Sequence, residues 1–245
     1  MAPQAAGRRL TVLTAPAKLT VSLRVTGVRG DGYHLIDAEM VSLDLADELV
    51  LSEGSGLVVV EGRHLGDVDP DDNLVGRALR AVGRRAHVEL RKRIPAGGGL
   101  GGGSSNAAAI LRWAGCDDLA MAASLGADVP FCLRGGRARV TGIGEVLEPL
   151  PFVARTYTLA MPPYGCSTPA VYAAWDALGG PTAERPNDLE PAALVVEPRM
   201  ARFRDELADA TGQVPRLAGS GSTWFVEGEL PGPGRIVAQT TPAYW

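Results

Sequence analysis

One glycine-rich stretch decides the fold: Pro95-Ala96-Gly97-Gly98-Gly99-Leu100-Gly101-Gly102-Gly103-Ser104-Ser105-Asn106-Ala107-Ala108-Ala109. Its six glycines lack Cβ, so this backbone can adopt positive φ and bring N–H groups close to a ligand. A strand-like segment, 86–91, leads in, and helix formers follow as far as Trp113, with the Ser-Ser-Asn triplet as a candidate cap. The N-terminus of a helix attracts anions, most often phosphate. We therefore predict a phosphate-binding loop here.

Three alternatives for this stretch are weaker. Gly97, Gly99 and Gly102 match the dinucleotide-binding pattern G-x-G-x-x-G. However, Pro95 lies tight against the loop, and no acidic residue ends a clear second strand about 20 residues further on. No Gly-Lys-Ser/Thr follows, which argues against the Walker pattern. A flexible glycine linker is disfavoured because a strand and a helix flank the loop.

The composition is typical of an ordinary globular protein of one large or two modest domains: 245 residues, 46% hydrophobic, with a formal net charge of -4. This mild acidity gives no support for a nucleic acid or a membrane surface as partner. No early apolar run is long enough for a signal peptide or a membrane span, so we expect a cytoplasmic protein. Cys116, Cys132 and Cys166 show no metal-ligand spacing and are expected to be reduced, small buried residues.

Lysine is scarce in this chain. Lys18 and Lys92 are the only two, and the other basic residues are arginines. A compact ammonium group can be needed where arginine cannot replace it, although a surface position explains a lysine equally simply. Lys18 follows Pro16, which interrupts strand pairing and indicates a bulge or an edge.

Hydrophobic periodicity predicts alternating strands and helices along the whole chain. Strands are predicted over 9–13, 19–25, 35–45, 48–52, 57–61, 86–91, 137–141 and 146–150, with helices from 71, beyond 106 and over 117–124. A domain boundary is predicted near Pro149-Leu150-Pro151. Beyond it we predict strands over 156–161, 216–217, 224–226 and 235–239, and helices over 168–178 and 198–210.

Local sequence leaves two sets of residues open. Asp128, between Ala127 and Val129, is either a helix cap, which the pattern slightly favours, or a buried catalytic carboxylate. Tyr33 and His34 close a turn-rich loop, and could equally be core residues or one wall of a slot that binds a base.

Together these segments resemble the GHMP kinase superfamily, which includes galactokinase, homoserine kinase and mevalonate kinase. The resemblance covers nearly the whole chain, and its motifs occur in family order. They are Pro16-Ala17-Lys18-Leu19, Asp31-Gly32-Tyr33-His34, the glycine-rich stretch, Leu125-Gly126-Ala127-Asp128-Val129-Pro130-Phe131, Asn187-Asp188-Leu189-Glu190 and Gly219-Ser220-Gly221-Ser222. The second and fourth of these motifs resemble those of the branch of the superfamily that acts on a cytidyl sugar alcohol.

The resemblance implies an α+β fold with two domains. The N-terminal domain, 1–151, would be ribosomal-S5-like and carry the phosphate loop and the catalytic residues. The C-terminal domain, 152–245, would be ferredoxin-like and trimmed, with the site between the two domains.

It also implies a reaction and a set of site residues. The protein would use ATP and Mg²⁺ to phosphorylate a hydroxyl of a small cytidyl sugar alcohol in isoprenoid precursor synthesis, with neither nucleic acid nor membrane as partner. The implied catalytic pair is Lys18 and Asp128. The ATP loop would be Pro95, Ala96, Gly97, Gly98, Gly99, Leu100, Gly101, Gly102, Gly103, Ser104 and Ser105, with Ser105 also a candidate Mg²⁺ ligand. The substrate set would be Thr20, Tyr33, His34, Tyr172, Gly219 and Ser220.

The chain departs from the family pattern at three places. Thr20 stands where the family usually has asparagine, the segment 106–128 is shorter than usual, and residues 227–234 replace a helix. Two alternatives therefore remain: another small-molecule kinase of the superfamily, or a non-catalytic nucleotide-binding paralogue. An aromatic base slot argues against the first, and retention of both Lys18 and Asp128 argues against the second.

Overall fold

The computed structural model describes residues 10–61 and 73–244. In chain order, the first part holds β1 Thr11–Val28, β2 His34–Ser52, β3 Gly56–Glu61, α1 Leu74–Ala81, β4 His87–Arg91, α2 Gly102–Trp113, α3 Leu119–Leu125, α4 Val129–Arg134, β5 Arg137–Gly142 and β6 Val146–Pro149. The second part holds β7 Thr156–Ala160, α5 Thr168–Ala177, α6 Glu190–Val196, α7 Met200–Thr211, β8 Arg216–Leu217, β9 Trp224–Glu227 and β10 Arg235–Thr241.

Two long antiparallel strands, β1 and β2, form the centre of the fold. Our prediction divided each of them in two, at Pro16 and near Asp47, and this division is wrong. The register shifts between Pro16 and Lys18, so a bulge absorbs the proline and the pairing of the two strands continues beyond it. The predicted bulge beside Lys18 is confirmed.

The remaining strands extend from this pair into one mixed sheet. Its main path runs β3-β4-β2-β10-β7-β9-β8, while β1 and β5 also pair with β2, and β6 pairs with β5. Only β3 and β4 are parallel among the strand pairs that the structure describes. The last strand, β10, joins the two parts of the chain because Thr240 and Thr241 pair with Leu43 and Ser42 of β2.

The helix after the glycine loop packs on the sheet. In α2 the run 107–111 is fully or almost fully buried, and this helix contacts β1, α1 and α4. The helix begins at Gly102, after Gly101 in the left-handed conformation (φ 67°), with no capping side chain. The predicted Ser-Ser-Asn cap is therefore wrong. Those residues lie inside the first turns, where Ser105 and Asn106 are buried.

The C-terminal part follows the prediction with one omission. The structure contains α6, a seven-residue helix with Pro191 in its first turn, which we did not predict because it is short and adjoins a proline. Residues 228–234 form no helix, and the trimming of the C-terminal domain relative to the family stays a prediction. The domain boundary near residue 151 stays a prediction.

Two further features bear on the sequence expectations. All three cysteines are unpaired, with Cys132 and Cys166 buried and Cys116 partly buried. Burial raises the pKa of the Cys132 thiol to about 12, so this thiol is unreactive at neutral pH.

Within the part of the chain that the structure describes, no helix has the length and apolar character needed to cross a membrane.

Candidate active site

A cavity of about 1110 Å³ gathers most of the predicted site residues. Its lining includes Lys18, Thr20, Tyr33, His34, Pro95, Ala96, Gly97, Gly98, Gly99, Gly101, Gly102, Gly103, Ser104, Asp128, Tyr172, Gly219 and Ser220. The two predicted residues that do not line it are Leu100 and Ser105, both fully buried. Segments far apart in sequence thus meet around one cavity, whose volume is large enough for a small-molecule binding site.

The predicted catalytic pair meets in this cavity. Lys18 Nζ lies 3.4 Å from Asp128 Oδ2 and donates a hydrogen bond to Thr20 Oγ1 at 3.0 Å. Asp128 occupies the N-cap position of α4, but its side chain makes no capping hydrogen bond. The lysine side chain is only 6% exposed, whereas that of the aspartate is 33% exposed. The Asp128 carboxylate therefore remains accessible as a hydrogen-bond acceptor for a hydroxyl in the cavity.

Leu100 and Ser105 attach the glycine loop to the bulge that carries Lys18. The Lys18 backbone N–H donates to Leu100 O at 3.0 Å, and the Ser105 hydroxyl donates to Pro16 O. Both residues support the site from outside the cavity. In particular, the structure does not bring the hydroxyl of Ser105 to the cavity, where the predicted Mg²⁺ ligand would have to be.

The glycine loop combines tight backbone packing with the N–H groups of a helix N-terminus. Gly99 has φ +75°, and a Cβ added there would lie 2.1 Å from Ala218 O, so only glycine fits. The N–H groups of Gly102, Gly103 and Ser104 lie in the first turn of α2, before the bond from Ser105 N–H to Gly101 O. Such N–H groups have no partner within the helix, and they point toward its positive end.

Lys92 is a site residue that the sequence analysis did not assign. It lines the cavity, and its Nζ lies 2.8 Å from where a Cβ on Gly102 would be. Its ammonium pairs with buried Asp47, which also accepts the N–H groups of Arg93 at 2.7 Å and Ile94 at 2.8 Å. The scarcity of lysine in the sequence was the feature that could have identified Lys92 as a candidate site residue. Asp47 gave no such signal, because it lies between the predicted strands 35–45 and 48–52.

Aromatic side chains form another wall of the cavity. The ring of His34 stacks on that of Tyr172, with centroids 4.6 Å apart, and its Nε2 is hydrogen-bonded to Asp176 Oδ1 at 2.9 Å. Burial, followed by the negative charge of Asp128, raises the pKa of Tyr172. Tyr33 is 58% exposed, so it is not a core residue. The predicted aromatic set is brought together, and Asp176 is an addition to it.

The second glycine loop, residues 218–222, completes the wall beside the catalytic pair. A Cβ on Gly219 would lie 3.5 Å from Lys18 Nζ. Ser220 Oγ is 2.8 Å from Thr168 Oγ1, at the start of α5. This loop therefore contacts both the lysine and the helix that carries Tyr172.

Comparison with known proteins agrees with this arrangement. Residues 73–136 match the family model "GHMP kinases N terminal domain". The fold is shared with a homoserine kinase from Cytophaga hutchinsonii (TM-score 0.60, 18% identity, covering 99% of this chain and 98% of that one). A GHMP kinase is thus the class that the fold and the site define.

Closer relatives narrow this class. The chain is 37% identical to the 4-diphosphocytidyl-2-C-methyl-D-erythritol kinase of Paracoccus denitrificans, over 94% of this chain and 93% of that protein. The corresponding protein of Dinoroseobacter shibae is also 37% identical, over 99% and 95% of the two chains. A crystal structure of such a kinase superposes with a TM-score of 0.73 and 32% identity, covering 94% and 99%. The chain belongs to the 4-diphosphocytidyl-2-C-methyl-D-erythritol kinase family.

Proposed function

We propose that this chain transfers the γ-phosphoryl group of ATP to the 2-hydroxyl of 4-diphosphocytidyl-2-C-methyl-D-erythritol, in non-mevalonate isoprenoid precursor synthesis. The observation that carries the proposal is the Lys18–Asp128 pair, 3.4 Å apart, in the same cavity as the glycine loop and the aromatic wall. The names of relatives that match nearly the whole chain support the same substrate.

Asp128 and Lys18 would act on the attacking hydroxyl. Asp128 accepts the hydroxyl proton as the oxygen attacks the γ-phosphorus, the bond from that phosphorus to the β–γ bridging oxygen breaks, and ADP leaves. Phosphoryl transfer depends mainly on alignment and on neutralised charge. Lys18, held between Asp128 and Thr20, keeps the carboxylate directed at the hydroxyl.

The glycine loop would hold the triphosphate. Backbone N–H groups at the start of α2 and the ammonium of Lys92 beside Gly102 supply positive potential where the phosphates would lie. Among residues 10–61 and 73–244 no group of three or more His, Cys, Asp or Glu could form a metal cage. A bound Mg²⁺ ion would therefore be held mainly by phosphate oxygens and water, with Asp128 as the nearby carboxylate, and would supply positive charge that neutralises the phosphates.

The aromatic wall would select the base. Tyr33, His34 and Tyr172 line the cavity together, and flat rings of this kind bind a nucleobase by stacking. We also propose that 1–151 and 152–245 are the two domains. The cavity would lie between them, because Lys18 and the glycine loop come from the first, and Tyr172 and Gly219 from the second.

The test is ADP release by purified protein with Mg-ATP, with 4-diphosphocytidyl-2-C-methyl-D-erythritol compared against mevalonate and homoserine. We expect turnover with the cytidyl compound alone. Turnover with another alcohol would leave the phosphate site intact and overturn the base slot. ATP binding without any turnover would instead indicate the non-catalytic paralogue.

A further inference from the structure

Asn187 is a buried polar side chain that the reaction described above does not use. It is only 3% exposed and does not line the cavity. Its Nδ2 donates to Leu217 O at 2.9 Å and to Gly219 O at 2.7 Å, while its Oδ1 accepts the Leu189 N–H at 3.0 Å. All of its polar atoms are therefore engaged, and both amide hydrogens hold the second glycine loop.

The second glycine loop lies against Lys18 on one side and against the first glycine loop on the other. A Cβ on Gly219 would lie 3.5 Å from Lys18 Nζ and 3.6 Å from Thr20 Oγ1. On the other side, Thr223 N–H donates to Gly98 O at 3.2 Å, and Ala218 O lies against Gly99. A shift of the second glycine loop would therefore displace Lys18 and the phosphate loop together.

Asn187 is itself anchored to the strand that carries Lys18. Leu23 of β1 exchanges backbone hydrogen bonds with the segment 186–188, through Pro186 O at 2.8 Å and Asp188 N–H at 3.0 Å. The carboxylate of Asp188, only 2% exposed, accepts the Val25 N–H at 3.0 Å and a guanidinium N–H of Arg24 at 2.7 Å. The side-chain amide of Asn187 thus connects the segment 186–188, which is hydrogen-bonded to β1, to the second glycine loop.

We infer that Asn187 is a positioning residue for phosphoryl transfer, acting through the carbonyls of Leu217 and Gly219 to hold the second glycine loop on Lys18. This inference rests on the proposed function only for its kinetic consequence. The structural part, the attachment of residues 217–223, can be measured without any substrate.

The test compares Asn187→Asp with wild type. The carboxylate has the same shape but offers oxygens to two carbonyls, so both hydrogen bonds are lost and replaced by repulsion. We expect faster hydrogen–deuterium exchange in the peptide 217–223. We also expect kcat to fall on the order of 10-fold to 100-fold, the scale of small misplacements in a catalytic site, with much smaller changes in both KM values. If Asn187→Asp does not fold, Asn187→Ser, which is neutral and keeps one donor, is measured instead, with a smaller loss of kcat.

Thr158→Val is the matched control. Thr158 is also fully buried, and its hydroxyl donates to Gly228 O at 2.8 Å and accepts the Leu230 N–H at 3.0 Å, but it does not line the cavity. This variant should lose thermal stability while exchange in 217–223 and kcat stay as in wild type.

Two results would overturn the inference. One is unchanged exchange in 217–223 in the Asn187 variant. The other is a kcat of the Asn187 variant that, once corrected for the folded fraction, equals that of wild type and of the control. Failure of the wild type to phosphorylate the cytidyl substrate would count against the proposed function, and the exchange result would still decide the attachment of the second glycine loop.

Discussion

The two ends of the cavity are built in different ways. One end is formed by the glycine loop, and we call it the phosphate end because we propose that the triphosphate binds there. Its lining is mostly backbone, and Gly99 lies so close to Ala218 O that a side chain is excluded. At the aromatic end the lining is side chains from two distant segments, with Tyr33 58% exposed and the carboxylate of Asp176 hydrogen-bonded to His34. We therefore expect substitutions at the phosphate end to disturb the fold and the chemistry together, and those at the aromatic end to change substrate preference alone.

Among the substitutions that compare the two ends of the cavity, Gly99→Ala should have the largest effect, because it acts on both stability and turnover. The new Cβ would lie 2.1 Å from Ala218 O at a φ of +75°, so the two glycine loops must separate. We expect a loss of about 2 to 3 kcal/mol in unfolding free energy and a fall in kcat on the order of 100-fold or more. Thermal denaturation and ADP release measure the two effects.

Gly83→Ala separates backbone strain from the steric clash. Gly83 also has positive φ (+63°), but a Cβ there would meet nothing within 4 Å. The variant Gly83→Ala should lower the free energy of unfolding by about 1 kcal/mol and leave turnover unchanged. Equal losses in the two variants would show that the close packing of the two glycine loops is unimportant.

Tyr172→Ala should produce an intermediate effect confined to the cytidyl substrate. A base–aromatic stack contributes about 1 to 3 kcal/mol, so we expect KM for this substrate to rise about 10-fold or more, with little change in KM for ATP. Tyr172→Phe keeps the ring and should behave nearly as wild type. If KM for ATP rises as much as KM for the alcohol, the two ends of the cavity are not independent.

Asp176→Asn should have the smallest effect. The Asp176 side chain is 53% exposed, and an exposed ion pair or hydrogen bond of this kind contributes about 1 kcal/mol or less. We expect KM for the cytidyl substrate to rise by about twofold to fivefold, with kcat unchanged. A larger effect than that of Tyr172→Ala would mean that His34, rather than the tyrosine stack, dominates recognition of the base.

The same contrast explains what could be predicted from sequence. The conformation of the glycine loop was predictable because glycine at positions such as 99 and 101 reflects a local backbone requirement. The Lys18–Asp128 pair was predictable only through family resemblance, since its members lie 110 positions apart in the sequence and no local pattern joins them. Contacts such as Asp176 with His34 or Asn187 with Gly219 had no local signal, because long-range folding creates them.

The wrong predictions of secondary structure have a related cause. The division of β1 and β2 followed local breakers such as Pro16, whereas the sheet tolerates the proline in a bulge. The polar triplet at 104–106 resembled a cap, but burial against the sheet placed it inside α2, behind Gly101. In both cases tertiary packing prevailed over local preference.

The most direct test of the central claim is ADP release by Asp128→Asn with Mg-ATP and 4-diphosphocytidyl-2-C-methyl-D-erythritol. Asparagine keeps the size of the side chain but cannot take up the hydroxyl proton as a carboxylate does. We predict that kcat falls on the order of 100-fold to 10,000-fold while calorimetric binding of a non-hydrolysable ATP analogue is nearly unchanged. Turnover at the wild-type rate would contradict the account, because the Lys18–Asp128 pair would then have no part in the reaction.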